Sequence, residues 1–369
     1  MTTAASAPPP SVSSKALRNK QFHTLRVARV ERLCDDAAAV SFDIPEGLKD
    51  DFDFRPGQSL TVRKIVDGQD QRRSYSICAP AGAQPRVGVR EVPGGVFSTW
   101  LVRDIRVGDD VDVQTPSGTF TADPATAGRH VFISAGSGIT PVLSIAASVL
   151  ANPDSHVTVF YGNRRTNSVM FAEELADLKD SYGSRLELVH VLSREPRGVD
   201  LFTGRLDRDR VRLLLRTLVP VRQVDHFWLC GPFGMVTDAQ QVLRELGVPE
   251  DAVHQELFYV EDVPPEPVHH TEAAAEGPTS EVTVILDGRS TTLALSRAQP
   301  VLDSAQDSRD DLPFACKGGV CGTCRAKVTS GEVEMRRNYA LEKAEVDAGF
   351  VLTCQSLPIS DTVTVDYDA

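Results

Sequence analysis

The sequence has no run of eighteen apolar residues, so no segment reads as a membrane-spanning helix. Its opening stretch, MTTAASAPPPSVSSKALRNK, lacks the apolar centre of a secretory signal. Pro, Ser and Ala dominate there, which predicts a disordered tail and a cytoplasmic protein. Basic residues are in the minority: 39 Lys and Arg against 51 Asp and Glu leave a formal net charge of −12. That balance excludes nucleic acid and anionic membrane as natural partners, since both are polyanions. There is no even set of cysteines. Seven of them in a reducing compartment argue against a disulfide framework and for metal binding or redox use. No segment repeats another. No Glu-x-x-His pair falls in a predicted helix, so no di-iron carboxylate centre is expected.

What is present is a soluble, multidomain composition. Of 369 residues, 41% are apolar and 24% charged, enough for two or three domains. Residues 1–21 form the predicted tail. Residues 22–122 read as short strands, among them SLTVRKIVDG, RSYSICAP and DDVDVQT, cut by Gly, Pro and Asp. Several short strands at regular spacing predict an antiparallel β-barrel. Residues 123–262 alternate strand and helix: HVFISAGSG, TPVLSIAASVLAN, HVTVFYGN, VMFAEELADLKDSYG, LELVHVLS, DRDRVRLLLRTLV and HFWLCGP. Such alternation predicts an α/β domain with a parallel sheet covered on both faces. Residues 263–279 are rich in Pro and Glu without periodicity and read as a linker. Residues 280–369 combine a hairpin, a short helix, a cysteine loop and further strands, an α+β unit.

The cysteine loop, CKGGVCGTC, carries the clearest chemistry. Cys316, Cys321 and Cys324 with the later Cys354 give C-x4-C-x2-C and a distant fourth thiol. That is the spacing of a plant-type [2Fe–2S] cluster. Glycines between the thiols let the backbone wrap closely and aim N–H groups at sulfur. The competing reading is a four-cysteine zinc site, which usually shows two C-x2-C knuckles where this chain has one. In RRSYSI, Tyr75 offers an aromatic face to a flavin ring, Arg73 a charge to its pyrophosphate, and Ser76 a hydroxyl to the N5 region. The competing reading is a core Tyr beside a surface Arg. In VPGGVFSTWL, Gly94, Gly95 and Ser98 precede a helix and offer donors to an anion.

SAGSGITP joins a strand to a helix at the start of the α/β unit. Gly136 and Gly138 lack the third glycine of a full fingerprint, so the alternative of a plain tight turn stands. The context favours a nucleotide pyrophosphate at that helix. In YGNRRTNSVMF, Arg164, Arg165 and Ser168 suit a 2′-phosphate, and no acidic residue in the stretch suits a ribose hydroxyl. That favours NADPH over NADH, against the alternative of two solvated arginines. Cys230 ends a strand in LCGP and would face the ligand crevice, unless it is simply a buried thiol. Cys34 and Cys78 read as packing.

Taken in order, RSYS, GGVFS, AGSGITP and LCGP resemble the ferredoxin–NADP⁺ reductase family, and CKGGVCGTC…C resembles a plant-type ferredoxin fused to it. The pairing resembles the reductase components of multicomponent oxygenases. RRSYSICAP, SVMFAEELADLKD and NYALE resemble most the reductase subunits of phenylacetyl-CoA epoxidases. Reductases of 3-ketosteroid 9α-hydroxylases share the domain order. The resemblance implies a multidomain fold: an antiparallel β-barrel for FAD, an α/β parallel-sheet nucleotide-binding domain, and an α+β, β-grasp ferredoxin domain. It implies FAD binding by Arg73, Tyr75, Ser76, Arg90, Gly95, Val96, Phe97 and Ser98. It implies nicotinamide-nucleotide binding by Gly136, Gly138, Thr140, Pro141, Cys230 and Gly231, with Phe258 near the flavin. Ser76 and Cys230 are the expected catalytic residues. Electrons would run from NADPH through FAD and the cluster to a transiently docked oxygenase, by this likeness a di-iron epoxidase, with a Rieske hydroxylase as the alternative.

Overall fold

A computed structural model describes residues 21–66, 68–258, 278–306, 308–309 and 311–369. Most of the predicted tail and linker therefore lies outside the described residues. Among those described, no helix is long and apolar enough to cross a membrane.

The first unit is a six-stranded antiparallel sheet of β1 (Phe22–Cys34), β2 (Ala37–Asp43), β3 (Ser59–Val66), β4 (Gln69–Ser76), β5 (Arg86–Arg90) and β6 (Asp110–Gln114). The order is β4-β3-β6-β1-β2-β5. A single antiparallel bridge, Ile77↔Val87, joins the two ends and curls the sheet on itself. Alternation explains it: Leu25, Val27, Val40, Phe42, Leu60, Val62, Val87, Val89, Val111 and Val113 all point inward and are buried. Each such side chain contributes roughly 1.5–3 kcal/mol on burial. A short helix, α1 (Val96–Thr99), follows β5.

The second unit alternates β7 (Arg129–Ala135), α2 (Ile139–Val149), β8 (His156–Asn163), α3 (Ala172–Tyr182), β9 (Leu186–Leu192), α4 (Arg208–Leu218), β10 (His226–Gly231), α5 (Phe233–Glu245) and β11 (Val253–Leu257). All pairs are parallel, in the order β11-β10-β7-β8-β9. The direction of winding reverses between β7 and β10, which is where ligands enter such sheets. Helix α4 shows how local sequence sets an element. Asp207 caps it by accepting the Arg210 N–H at 3.0 Å, and Val211, Leu214 and Leu215 supply one buried stripe. Helix α2 has no such stripe; ten of its eleven residues are buried. It is enclosed because the first unit packs on it. Ser144 Oγ donates to the Ala79 carbonyl at 2.6 Å, and Ser148 Oγ accepts the Ala81 N–H at 2.9 Å.

The third unit contains β12 (Thr279–Leu286), β13 (Arg289–Ser296), α6 (Val301–Gln306), β14 (Arg325–Ser330), β15 (Val333–Met335), α7 (Lys343–Asp347), β16 (Phe350–Leu352), β17 (Ser356–Pro358) and β18 (Thr362–Asp366). Five strands form one sheet, β13-β12-β18-β14-β16, with β12 and β18 parallel at its centre. The three units share cores. Ala37, Cys78 and Phe120 belong to the same apolar cluster as Phe132, Ile145 and Trp228. Val320 of the third unit is buried with the cluster formed by α4, α5 and one face of the parallel sheet.

One glycine is fixed by close approach. A Cβ on Gly138 would stand 2.1 Å from the Cys230 carbonyl oxygen, with no flexible side chain able to yield. Gly138→Ala is expected to cost about 1–3 kcal/mol or more of folding free energy, the usual range for overpacking, measured by urea unfolding. An unchanged denaturation midpoint would show that the β7–α2 turn can move.

Candidate functional site

Strand β4 presents two faces. On one, the Tyr75 ring stacks toward Phe97, centroids 6.2 Å apart and planes 27° from parallel. Arg73 lies on the same face, its guanidinium resting on the Arg72 carbonyl at 2.6 Å and Gln71 Oε1 at 3.3 Å. The glycine loop is close by. Ser98 Oγ accepts the Val92 N–H at 3.0 Å and donates to the Gly95 carbonyl at 3.2 Å, so the hydroxyl holds its own loop. Beside this loop opens a cavity of about 620 Å³, lined by Gly94 to Phe97 and also by Lys64 and Trp100. Lys64 Nζ stands 4.0 Å above the Trp100 ring.

On the other face, Ser76 Oγ donates to Glu256 Oε2 at 3.0 Å. Glu256 sits on β11 directly across from Cys230 on β10. Loss of water around the Glu256 carboxyl pushes it up to about 7, with the Ser76 hydroxyl acting the other way. Desolvation, then the neighbouring Glu256, drives the Cys230 thiol well above its usual range, so it stays protonated. Ser76, Cys230 and Glu256 thus come together from three strands of two units. Sequence reasoning picked the first two and missed the third. The available signal was the acid in ELF, two residues before Phe258. Phe258 itself is half-buried against the shared core around α2.

Gly136 and Gly138 form the turn between β7 and α2, with Gly136 at φ 58°. Tyr161 donates its hydroxyl to the Gly136 carbonyl at 3.0 Å, and Thr140 Oγ1 donates to the Ser137 carbonyl at 2.9 Å. Pro141 lies in the first turn of α2 and Gly231 ends β10. Arg90 ties the first unit to the second: it donates to the Ser168 carbonyl and pairs with Asp36 at 3.3 Å. Arg164 and Arg165 are exposed at the end of β8. The Ser168 hydroxyl is engaged with the Arg165 backbone, accepting its N–H at 3.1 Å and donating to its carbonyl at 2.7 Å. The stretch itself holds no acid, but one reaches it from outside. Glu195, from beyond β9, accepts the Thr166 N–H at 2.8 Å and its hydroxyl at 2.7 Å. Those bonds, then Arg197 and Arg165, hold its carboxyl below the usual range.

The three loop cysteines and Cys354 separate into two pairs. A hydrogen bond with Cys321, then the N–H groups of Gly318, Val320 and Cys321, pull the Cys316 thiol below its usual range. The same bond pushes Cys321 up. A hydrogen bond with Cys324 raises Cys354. Among the described residues no three His, Cys, Asp or Glu side chains converge on a single ion. Two thiols for each of two irons is the donor set of a binuclear cluster, and backbone N–H groups already point at sulfur, with Gly318 N 3.3 Å from Cys316 Sγ. Of the remaining thiols, Cys78 is buried and donates to the Arg86 carbonyl at 3.2 Å, while Cys34 is half-buried against Asp36.

A curled sheet, a parallel sheet with a glycine turn at its switch point, and a cysteine loop with a distant fourth thiol define an oxidoreductase that uses flavin, nicotinamide nucleotide and iron–sulfur cluster. Comparisons with known proteins agree. The oxidoreductase FAD-binding domain family matches residues 24–122, the oxidoreductase NAD-binding domain 132–241, and the 2Fe-2S iron-sulfur cluster binding domain 284–358. One of the subunits of 1,2-phenylacetyl-CoA epoxidase from Escherichia coli K12 is 41% identical over 94% of this chain and 98% of that protein. The ferredoxin reductase component of 3-ketosteroid-9-alpha-monooxygenase from Mycolicibacterium smegmatis is 34% identical over 93% and 96%. In fold the chain is similar to phthalate dioxygenase reductase, with a TM-score of 0.58 over 94% of this chain and 98% of that one, at 23% identity. It also matches part of an intact type IV self-sufficient cytochrome P450 monooxygenase, at 24% identity and TM-score 0.67 over 93% of this chain, but spans only 41% of that longer chain. The chain belongs to the family of oxygenase reductases that join a ferredoxin–NADP⁺ reductase-like core to a C-terminal [2Fe–2S] ferredoxin domain, and it is an electron-transfer enzyme.

The raised Glu256 carboxyl gives a pH signature. Its folded pKa lies above the unfolded value, so its favourable contribution is complete below about 4.5 and is lost as pH rises through about 7. Glu256→Gln should therefore gain stability relative to wild type as pH is raised from 5 to 8, followed by urea unfolding across that range. A difference that stays flat with pH would refute the raised carboxyl.

Proposed function

We propose that this reductase serves a di-iron epoxidase acting on phenylacetyl-CoA, with NADPH as the electron source. The observation that carries the partner is the 41% identity with a phenylacetyl-CoA epoxidase component along almost the whole length of both proteins. The second reading, delivery to a Rieske-type hydroxylase, is favoured by the 34% identity with a ketosteroid monooxygenase reductase. The net charge of −12 argues against nucleic acid and anionic membrane as partners. A cytoplasmic location and a transient contact with the oxygenase fit a carrier that must release its partner after each delivery.

FAD, when bound, takes two electrons from the nicotinamide as hydride and hands them on singly, which a one-electron [2Fe–2S] cluster requires. The chain's own residues bind and orient. Arg73, Gly95, Val96 and Ser98 suit the flavin phosphates, with Tyr75 and Phe97 beside the ring. The cavity beside them, with Lys64 as cation and Trp100 as platform, suits the adenosine half. Ser76 places a hydroxyl between the flavin edge and Glu256, whose pKa of about 7 lets it hold or release a proton at working pH. Cys230 and Gly231, with Gly136, Gly138, Thr140 and Pro141, line the nicotinamide side. Phe258 closes the crevice and Arg90 keeps its two walls together. Arg164, Arg165 and Ser168 recognise the 2′-phosphate; Glu195 holds Thr166 and balances the arginines until the nucleotide arrives. Cys316, Cys321, Cys324 and Cys354 ligate the cluster.

Reconstitution decides the partner: the reduced protein should support the epoxidase, and success with a Rieske hydroxylase alone would overturn the first reading. Cys321→Ser should abolish the cluster spectrum while NADPH-driven dye reduction persists; a retained spectrum would refute the ligand set. Arg164→Ala with Arg165→Ala should raise KM for NADPH about tenfold or more and leave KM for NADH within twofold, whereas equal effects would count against 2′-phosphate recognition.

A further inference from the structure

Arg72, the first residue of RRSYSI, has no part in binding flavin or nucleotide. Its side chain is only 6% exposed. A buried guanidinium is costly unless its donors and its plane are used, so its partners say what it is for. Asp70 supplies the counter-charge at 2.7 Å. The other partners lie 240 residues along the chain, in the third unit. Arg72 donates to the Leu312 carbonyl at 3.3 Å, and its guanidinium carbon lies 4.1 Å from the centre of the Phe314 ring. Phe22 of β1 adds a second ring at 5.1 Å.

Two residues further along the same face of β4, Ser74 Oγ lies 3.3 Å from Thr323 Oγ1. Leu312 and Phe314 immediately precede Cys316, and Thr323 lies between Cys321 and Cys324. Phe314 is held from its own side as well. Lys317 Nζ stands 4.8 Å from its ring and is fixed by Asp303 at 2.9 Å and Gln306 at 2.6 Å. The segment leading into the cysteine loop and the loop's last arm are therefore both anchored to the strand that carries Tyr75 and Ser76.

We propose that Arg72 is a positioning residue for electron transfer inside the protein, a clamp whose stack on Phe314 and hydrogen bond to Leu312 seat the cysteine loop against β4. The proposal rests on the cluster being held by Cys316, Cys321, Cys324 and Cys354. The step it serves forms no bond: one electron leaves the reduced flavin and one ferric iron becomes ferrous, so each hydride requires two passages. Electron transfer of this kind falls steeply with distance, so a loosened loop slows it without touching hydride transfer. Arginine is required because its planar fork can donate to Asp70 and Leu312 in the plane while stacking across it. A lysine offers the charge alone.

The test compares holoprotein variants Arg72→Lys and Phe314→Leu with wild type, mixed anaerobically with NADPH in a stopped-flow instrument. Flavin bleaching and flavin-to-dye turnover should stay within twofold of wild type, while cluster reduction slows at least tenfold in each variant. The double variant should be no slower than the worse single one, as for two halves of one contact. Hydrogen–deuterium exchange over residues 312–323 should rise in both. Cluster reduction at the wild-type rate in both variants, additive slowing in the double variant, or equal slowing of flavin and cluster would overturn the clamp. A wild-type protein without a [2Fe–2S] spectrum would fault the ligand set instead, and the exchange measurement would still decide whether Arg72 holds the loop.

Discussion

The hydrogen bond from Ser76 to Glu256 crosses the seam between the curled sheet and the parallel sheet, and it exists only while the two are pressed together. Separate them, and the Glu256 carboxyl regains water and an ordinary carboxylate pKa. Holding it short of water needs the surroundings seen here. Helix α2 must be buried almost all round, because the first unit covers the side that would otherwise face solvent and Ser144 and Ser148 find partners there. The turn before α2 must carry Gly138, because the Cys230 carbonyl occupies the space of a side chain. Arg90 must span from Asp36 to Ser168 so that the crevice walls do not part. A poised acid beside a protonated thiol is the outcome of that packing.

The third unit is attached by the same logic with different chemistry. Its own core is complete, with Val282, Val284, Leu302, Leu352 and Val365 buried together. Yet Val320 is buried against the parallel-sheet unit, and Tyr339 meets Phe233 edge to face at 5.5 Å. Where apolar contact ends, Arg72 and Ser74 take over. The cysteine loop thus faces the reductase core rather than solvent, a reason to find the carrier and its source of electrons in one chain.

Much of this was legible from sequence because it is local. Strands β7, β8 and β10 announce themselves as apolar runs with a glycine at the end, and HVTVFYGN coincides with β8 residue for residue. The cysteine spacing pointed to a [2Fe–2S] domain, and the matching domain family covers residues 284–358. What escaped was non-local. Strand β11 is short and only half-buried over most of its length, so VHQEL gave no periodic signal, and Glu256 passed unnoticed. Glu195 reaches the arginines from the next strand's exit loop, twenty-nine residues from its partner Thr166. Arg72 carries no local signal of its role, because the rings that stack on it come from either end of the chain.

Strand β4 puts these obligations in one pleat: odd positions 73 and 75 face the glycine loop, and even positions 72, 74 and 76 meet the other two units. In a strand, moving the chain by one residue exchanges the two faces completely. A slip of β4 against β3 therefore keeps these faces only if it is an even number of residues. A slip of one residue would turn the aromatic face outward and the docking face inward at one stroke. The eight residues of β4 act as a shared ruler, and the joining of a carrier to a reductase is written in whether its count is odd or even.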